Sequence, residues 1–157
     1  MKIRTMQSRD LLAVSKVHKE VFPRQMLSEE WMTCSFHAYP RIKYFVAEVE
    51  ENIVGYIQWA EKSGFRKEVV LEIEQMGVIP FKQRQGIGSS LISDSLKIIK
   101  EELIQRGASI KHILVSTRTD NEAQKLYQKV LNAQPEFVIT NLFSSDEVLM
   151  IARNPSI

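Results

Sequence analysis

At 157 residues the chain is long enough to bury a proper core, and its 44% apolar and 25% charged content suits a soluble globular fold, not a disordered or fibrous one. A net charge of +2, with scattered basic residues, argues against a nucleic-acid partner. No run approaches the ~18 apolar residues of a membrane span, the opening residues hold no apolar core of a secretion signal, and the lone Cys34 excludes an internal disulfide and fits a reducing cytoplasm.

Residues 3–5 read as a short opening strand. Asp10 can cap a helix carrying Leu11, Leu12, Val14, Val17, His18 and Val21, which Phe22-Pro23 ends. Ser28-Glu29-Glu30-Trp31 predicts a second helix, with Ser28 as its cap and acids in the first turn. Trp31, Phe36, His37 and Tyr39 cluster there and are expected to be mostly core. Cys34 and His37 lack a second pair at ligand spacing, so no structural metal is expected. Residues 44–48 and 53–60 are β-rich runs around Glu50-Glu51-Asn52 and predict a hairpin, with Trp59 packed in the sheet. After a polar loop at 62–67, residues 69–78 form the next strand.

That strand ends at Val78-Ile79-Pro80 and is followed by Gln83-Arg84-Gln85-Gly86-Ile87-Gly88. A strand that turns through glycines into a helix leaves the first helical N–H groups pointing outward with the positive dipole end behind them, a cradle for phosphate. Gly86 and Gly88 carry no Cβ to hold the anion off. Ile92, Leu96, Ile99 and Leu103 then make an apolar stripe on a long helix that Gly107 should stop. Residues 110–117 predict a strand, and Thr119-Asp120-Asn121-Glu122 a capping box for a helix through Leu131, with Asn132 as its left-handed end. Residues 136–143 and 147–152 complete the chain as two strands. The order β-α-α-β-β-β-α-β-α-β-β gives an antiparallel first part and a parallel switch near the glycine turn.

With these residues in place, the sequence resembles the GNAT superfamily of acyl-CoA-dependent N-acetyltransferases. Val78-Ile79-Pro80 and Gln83-Arg84-Gln85-Gly86-Ile87-Gly88-Ser89 match the family's strand, turn and helix start, and Ala123-Gln124-Lys125-Leu126-Tyr127 matches its later Ala-x-x-x-Tyr signature. The resemblance spans nearly the whole chain and implies one N-acetyltransferase domain over residues 1–157. The implied fold is α/β (α+β): a mixed, centrally splayed sheet of about seven strands flanked by four helices. It also implies acetyl-CoA as cosubstrate, no metal, an amine acceptor, and, as in many relatives, a homodimer.

By the same resemblance, Gln83 and the backbone amides of Arg84, Gln85, Gly86, Ile87, Gly88 and Ser89 would hold the coenzyme A diphosphate, and backbone groups around Met76 and Val78 its pantetheine arm. Gly77, lacking a side chain, suits that close approach. The family's usual Asn before the tyrosine is here Asp120, with Asn121 beside it, and a carboxylate there can accept from the arm but cannot donate. The glycine that usually follows the tyrosine helix is replaced by Asn132. Lys82, Arg84, Lys125 and Lys129 are candidates for the other phosphates, or ordinary surface cations.

Acyl transfer to an alkyl amine needs a proton acceptor, because an amine of pKa ~10 is protonated at neutral pH. By the resemblance, Glu72 is the first candidate base, since it lies six residues before Val78, where family members that use a glutamate carry it; Glu74, on the same strand face, is the second. Tyr127 is the candidate general acid for the departing thiolate, and a strand N–H near Met76–Val78 a donor for the oxyanion. The alternatives are a protein N-terminal or lysine acetyltransferase and a non-catalytic acyl-CoA-binding module. A phosphate-loop ATPase is disfavoured, since Ser89-Ser90 follow the glycines directly with no Lys-Ser/Thr pair, and Ile92 stands where a dinucleotide fold wants a third glycine.

Overall fold

Among the described residues, seven strands and four α-helices follow one another in the expected order, with refined boundaries. They are β1 (Lys2–Thr5), α1 (Leu11–Val21), α2 (Ser28–Phe36), β2 (Ile42–Val49), β3 (Asn52–Glu61), β4 (Glu68–Val78), α3 (Ile87–Gln105), β5 (Ser109–Arg118), α4 (Ala123–Leu131), β6 (Gln134–Ile139) and β7 (Glu147–Arg153). This computed structural model describes residues 1–155. The strands form one mixed sheet in the order β1-β2-β3-β4-β5-β7-β6. Among the described residues no helix is long and apolar enough to cross a membrane.

The chain resolves into two compact units, Met1–Ala60 with Gln75–Leu96, and Glu61–Glu74 with Lys97–Ile157. In the first, β1 pairs antiparallel with β2 and β2 with β3. Phe45, Val46, Tyr56, Ile57 and Trp59 are buried on both faces of this meander. Trp59 donates its indole N–H to Ser95 Oγ on α3 at 2.8 Å, which satisfies the one polar atom of a fully buried ring. In the second unit β4 runs parallel to β5 from Glu68↔Ser109 to Ile73↔Val115, β5 is antiparallel to β7, and β7 to β6.

Local chemistry accounts for most boundaries. Ile92, Leu96, Ile99 and Leu103, spaced to fall on one helical face, are all buried along α3. The helix stops where Gly107 takes φ +70°, its N–H bonding the Ile104 carbonyl while Ala108 N–H bonds Leu103, a paired closure that spends two orphan carbonyls. Asn132 ends α4 in the same left-handed region.

Four expectations are corrected. Ser28 does not cap α2: the N-cap is Leu27, and the Ser28 hydroxyl is spent on His18. No Thr119–Glu122 capping box forms; Asn121 Oδ1 accepts the Ala123 N–H instead. The sixth strand begins at Gln134 and ends at Ile139, with Pro135 tolerated because this is the sheet's edge. Trp31 and Tyr39 are exposed, at 45% and 64%, and Met32 is the residue that α2 buries fully.

The β2–β3 hairpin closes in two residues, Glu50 and Glu51, both with positive φ (49° and 65°) between the paired Val49 and Asn52. Such turns favour Asn-Gly, since an L side chain in the left-handed region costs about 1–2 kcal/mol. Glu51→Gly is therefore expected to raise stability by about 1 kcal/mol in chemical denaturation. An unchanged or lower midpoint would contradict this account of the turn.

Candidate functional site

The turn after β4 is built from three local decisions. Residues Pro80–Lys82 make one 3₁₀ turn, and Gln83 returns to extended backbone. Arg84 and Gly86 then take positive φ, 60° and 83°, and α3 begins at Ile87. The Gln83 side-chain amide donates to the Val78 carbonyl at 2.9 Å and Gln85 to the Phe81 carbonyl at 3.1 Å, so two glutamines tie the turn down from within. The first amide of the helix to find a carbonyl is Ser90, bonded to Gly86. The N–H groups of Arg84, Gln85, Gly86, Ile87, Gly88 and Ser89 have no protein acceptor among the described residues. A Cβ built on Gly86 would meet nothing within 4 Å, so the space above these amides is open.

Next to the turn, the end of β4 is held by β3. Ile79 N–H bonds the Val54 carbonyl at 3.0 Å, and a Cβ on Gly55 would stand 2.9 Å from the Gly77 carbonyl. Gly77 itself is bare for packing: its Cβ would lie 3.2 Å from Tyr56 and 3.4 Å from Val21. Met76 and Val78 are half-buried, and the Val78 carbonyl is already taken by Gln83.

A polar network that sequence reasoning missed lies beside this strand. His18 is fully buried on α1. Its Nε2 lies 2.8 Å from Gln25 Oε1 and its Nδ1 2.8 Å from Ser28 Oγ. An amide oxygen only accepts, so Nε2 carries the proton and Nδ1 accepts from the Ser28 hydroxyl. Gln75 donates to the same Gln25 oxygen at 2.9 Å and accepts from Tyr56 Oη at 2.7 Å. Burial holds the His18 pKa below its ordinary value, with the Gln25 bond opposing, so the ring is neutral. Burial likewise pushes the Tyr56 phenol up. Between the two His18 partners, Leu27 sits at φ 53° and is 67% exposed, a strained residue held by the bonds on either side. Only its contacts with Gln25 and Ser28, seven and ten residues on, give His18 this role.

In the second unit the structure places the remaining candidates separately. Glu72 pairs with Lys62 Nζ at 2.7 Å, while Glu74 is exposed. Asp120 takes a bidentate grip on Arg118, at 3.0 and 2.6 Å, and so is engaged with a cation of its own strand end. Asn121 donates to Thr117 Oγ1 at 2.9 Å while capping α4. Tyr127 on α4 is 6% exposed, and burial pushes its phenol up to about 12. Its hydroxyl has no protein partner among the described residues. It is also absent from the fully shielded unpartnered atoms, which are Glu61 Oε2, His112 Nδ1 and Ser145 Oγ.

Comparison with known proteins bears on the family and the fold. No curated protein matches by sequence. Among solved structures, a ribosomal-protein-alanine N-acetyltransferase from Brucella melitensis superposes with a TM-score of 0.75 at 17% identity, covering 98% of this chain and 99% of that one. The ribosomal-protein-S18-alanine N-acetyltransferase from Escherichia coli gives 0.74 at 19% identity over 99% and 95%. An aminoglycoside 6'-N-acetyltransferase complexed with coenzyme A gives 0.74 at 14% over 98% and 97%. At these identities the likeness establishes the fold. The acetyltransferase (GNAT) family model matches residues 10–132, most of the chain, and the protein belongs to that family.

Proposed function

We propose that the protein transfers an acetyl group from acetyl-CoA to a primary amine of a small molecule or amino acid, by direct attack. One observation carries this reading: six consecutive amides, residues 84–89, open a 19-residue helix without any protein acceptor among the described residues. Six neighbouring amides left to solvent at a helix start, with open space above them and the positive dipole end behind, favour an anion of diphosphate size. Acetyl-CoA brings such a diphosphate together with an acetyl group activated as a thioester.

The chain's own residues supply the proton traffic. Glu72 takes the proton from the acceptor's ammonium group, and its ion pair with Lys62 fixes where the carboxylate points. Glu74 is the second choice. Tyr127 is the proton donor: with its phenol pushed up to about 12, it stays protonated across the neutral range and can give a proton but not take one. Backbone groups at Met76 and Val78 would pair with the pantetheine arm.

Acetyl-CoA is expected to stabilise the protein thermally, by about 2.7 kcal/mol at one hundred times its dissociation constant. Thiol release should then appear with members of an amine panel and not with peptides. Absence of any thermal shift at millimolar acetyl-CoA would overturn the reading; release with peptides alone would move the acceptor to proteins.

A further inference from the structure

Glu147 opens β7 and is 7% exposed. Its cross-strand neighbours are Arg118 on β5 and Ile139 on β6. Directly opposed residues of an antiparallel pair project to one face, so Arg118 is the natural cation for this carboxylate. Arg118, however, is held by Asp120 through both Nε and a terminal nitrogen. The Glu147 carboxylate therefore makes no hydrogen bond or ion pair among the described residues. Its oxygens are not among the fully shielded unpartnered atoms, so they keep some contact with the surface. A carboxylate left buried beside a cation that is already engaged is costly to fold, and such groups concentrate where function needs them.

The surroundings point to an acceptor. Asp120 and Asn121, at the same strand end, are the positions the family resemblance gives to the coenzyme arm. Glu72 aligns with Leu114 on β5, and Leu114 and Arg118 are four residues apart on one strand. Strand alternation places Glu72, Leu114, Arg118 and Glu147 on a single face, with the two carboxylates separated by about 13 Å along the strand direction. One nitrogen cannot serve both. We propose that Glu147 is a specificity residue that receives a second ammonium group of the acceptor, remote from the reacting nitrogen, so that the substrate class is a di- or polycationic amine. This rests on the acetyl-transfer reading above and extends it to the acceptor.

Protonation supports the assignment. Burial pushes the Glu147 pKa up, Arg118 opposes this and Asp120 adds to it. The other groups at hand are uncharged Ile139 on β6 and, next in the chain, Asp146, whose Oδ1 accepts the Asn141 amide. A raised folded-state pKa means that the protonated form is favoured by folding. The stabilisation is present at low pH and lost as pH rises through the folded value. A bound ammonium favours the ionised form, so preference for a dication grows over that same rise.

The test compares a long-chain α,ω-diamine with the n-alkylamine of the same length, in wild type and in Glu147→Gln, after acetyl-CoA affinity has been measured for both proteins. Wild type should prefer the diamine by at least about tenfold in kcat/KM, and Glu147→Gln should lose that preference while binding acetyl-CoA unchanged. Glu147→Asp should keep part of it. Glu147→Gln should also be more stable than wild type near neutral pH, with a flatter pH dependence, because a buried charge that Arg118 offsets only in part is gone. A preserved diamine preference in Glu147→Gln, or loss of its acetyl-CoA binding, overturns the proposal. Failure of wild type to bind acetyl-CoA is read separately: it removes the acetyl-transfer reading, and the acceptor assignment falls with it.

Discussion

Gly86→Val is expected to abolish acetyl-CoA binding while leaving the protein folded. The two halves of that expectation come from different facts. In the free protein a Cβ at this position meets nothing within 4 Å, so valine's first side-chain carbon has room. Its cost is the backbone, since φ is +83° and an L residue there pays about 1–2 kcal/mol. A domain of this size tolerates that loss. On the binding side the same open space is the place the diphosphate needs, and an isopropyl group would hold the anion away from the amides of residues 84–89. Charge-assisted hydrogen bonds contribute about 1.5–3 kcal/mol each. Losing two of them weakens affinity by more than about a hundredfold. Calorimetric titration reads the affinity and circular dichroism the fold. Gly86→Ala, which also puts an L residue at this φ but adds far less bulk, helps to separate strain from occlusion. A folded Gly86→Val with normal affinity would mean that the anion binds elsewhere, and the functional reading would fail with it.

The parts of this molecule that were legible in the sequence are those set by near neighbours. The buried stripe of α3, its stop at Gly107 and the left-handed Asn132 all follow from contacts within a few residues. The glycine turn belongs to the same class, because its open amides are a consequence of two positive φ angles and a helix start. The parts that were not legible depend on partners far along the chain. Ser28 reads as a cap until a buried histidine ten residues earlier claims its hydroxyl. Gly77 reads as a place for ligand approach, but Tyr56 and Val21 stand close enough that the missing side chain serves packing. Trp31 and Tyr39 read as core by their chemistry and lie exposed, since burial depends on what faces a helix and not on the helix alone. Glu147 belongs with these: its lack of a hydrogen-bonded partner depends on Asp120, which engages both Nε and a terminal nitrogen of Arg118.

Tyr127→Phe is expected to lower turnover about a hundredfold with acetyl-CoA affinity unchanged. The ring is part of the buried face of α4, and phenylalanine keeps that packing, so the variant isolates the hydroxyl. The helix is seated independently of the phenol. Asn121 caps its first turn through the Ala123 N–H and anchors to Thr117 on β5, and neither bond is touched by the substitution. What is lost is a proton donor. A departing thiolate has a conjugate acid of pKa ~8.5 and leaves sluggishly without one. The loss should therefore shrink when the acetyl donor carries a more acidic thiol, and that dependence distinguishes proton donation from a packing defect, which would affect every donor alike. The pH profile gives a second check. With the phenol pushed up to about 12, wild-type activity should show no alkaline fall attributable to Tyr127 until the pH nears that value. Turnover unchanged in Tyr127→Phe, or a defect indifferent to the leaving thiol, would remove the tyrosine from the reaction and require the thiolate to depart unprotonated or to take its proton from water.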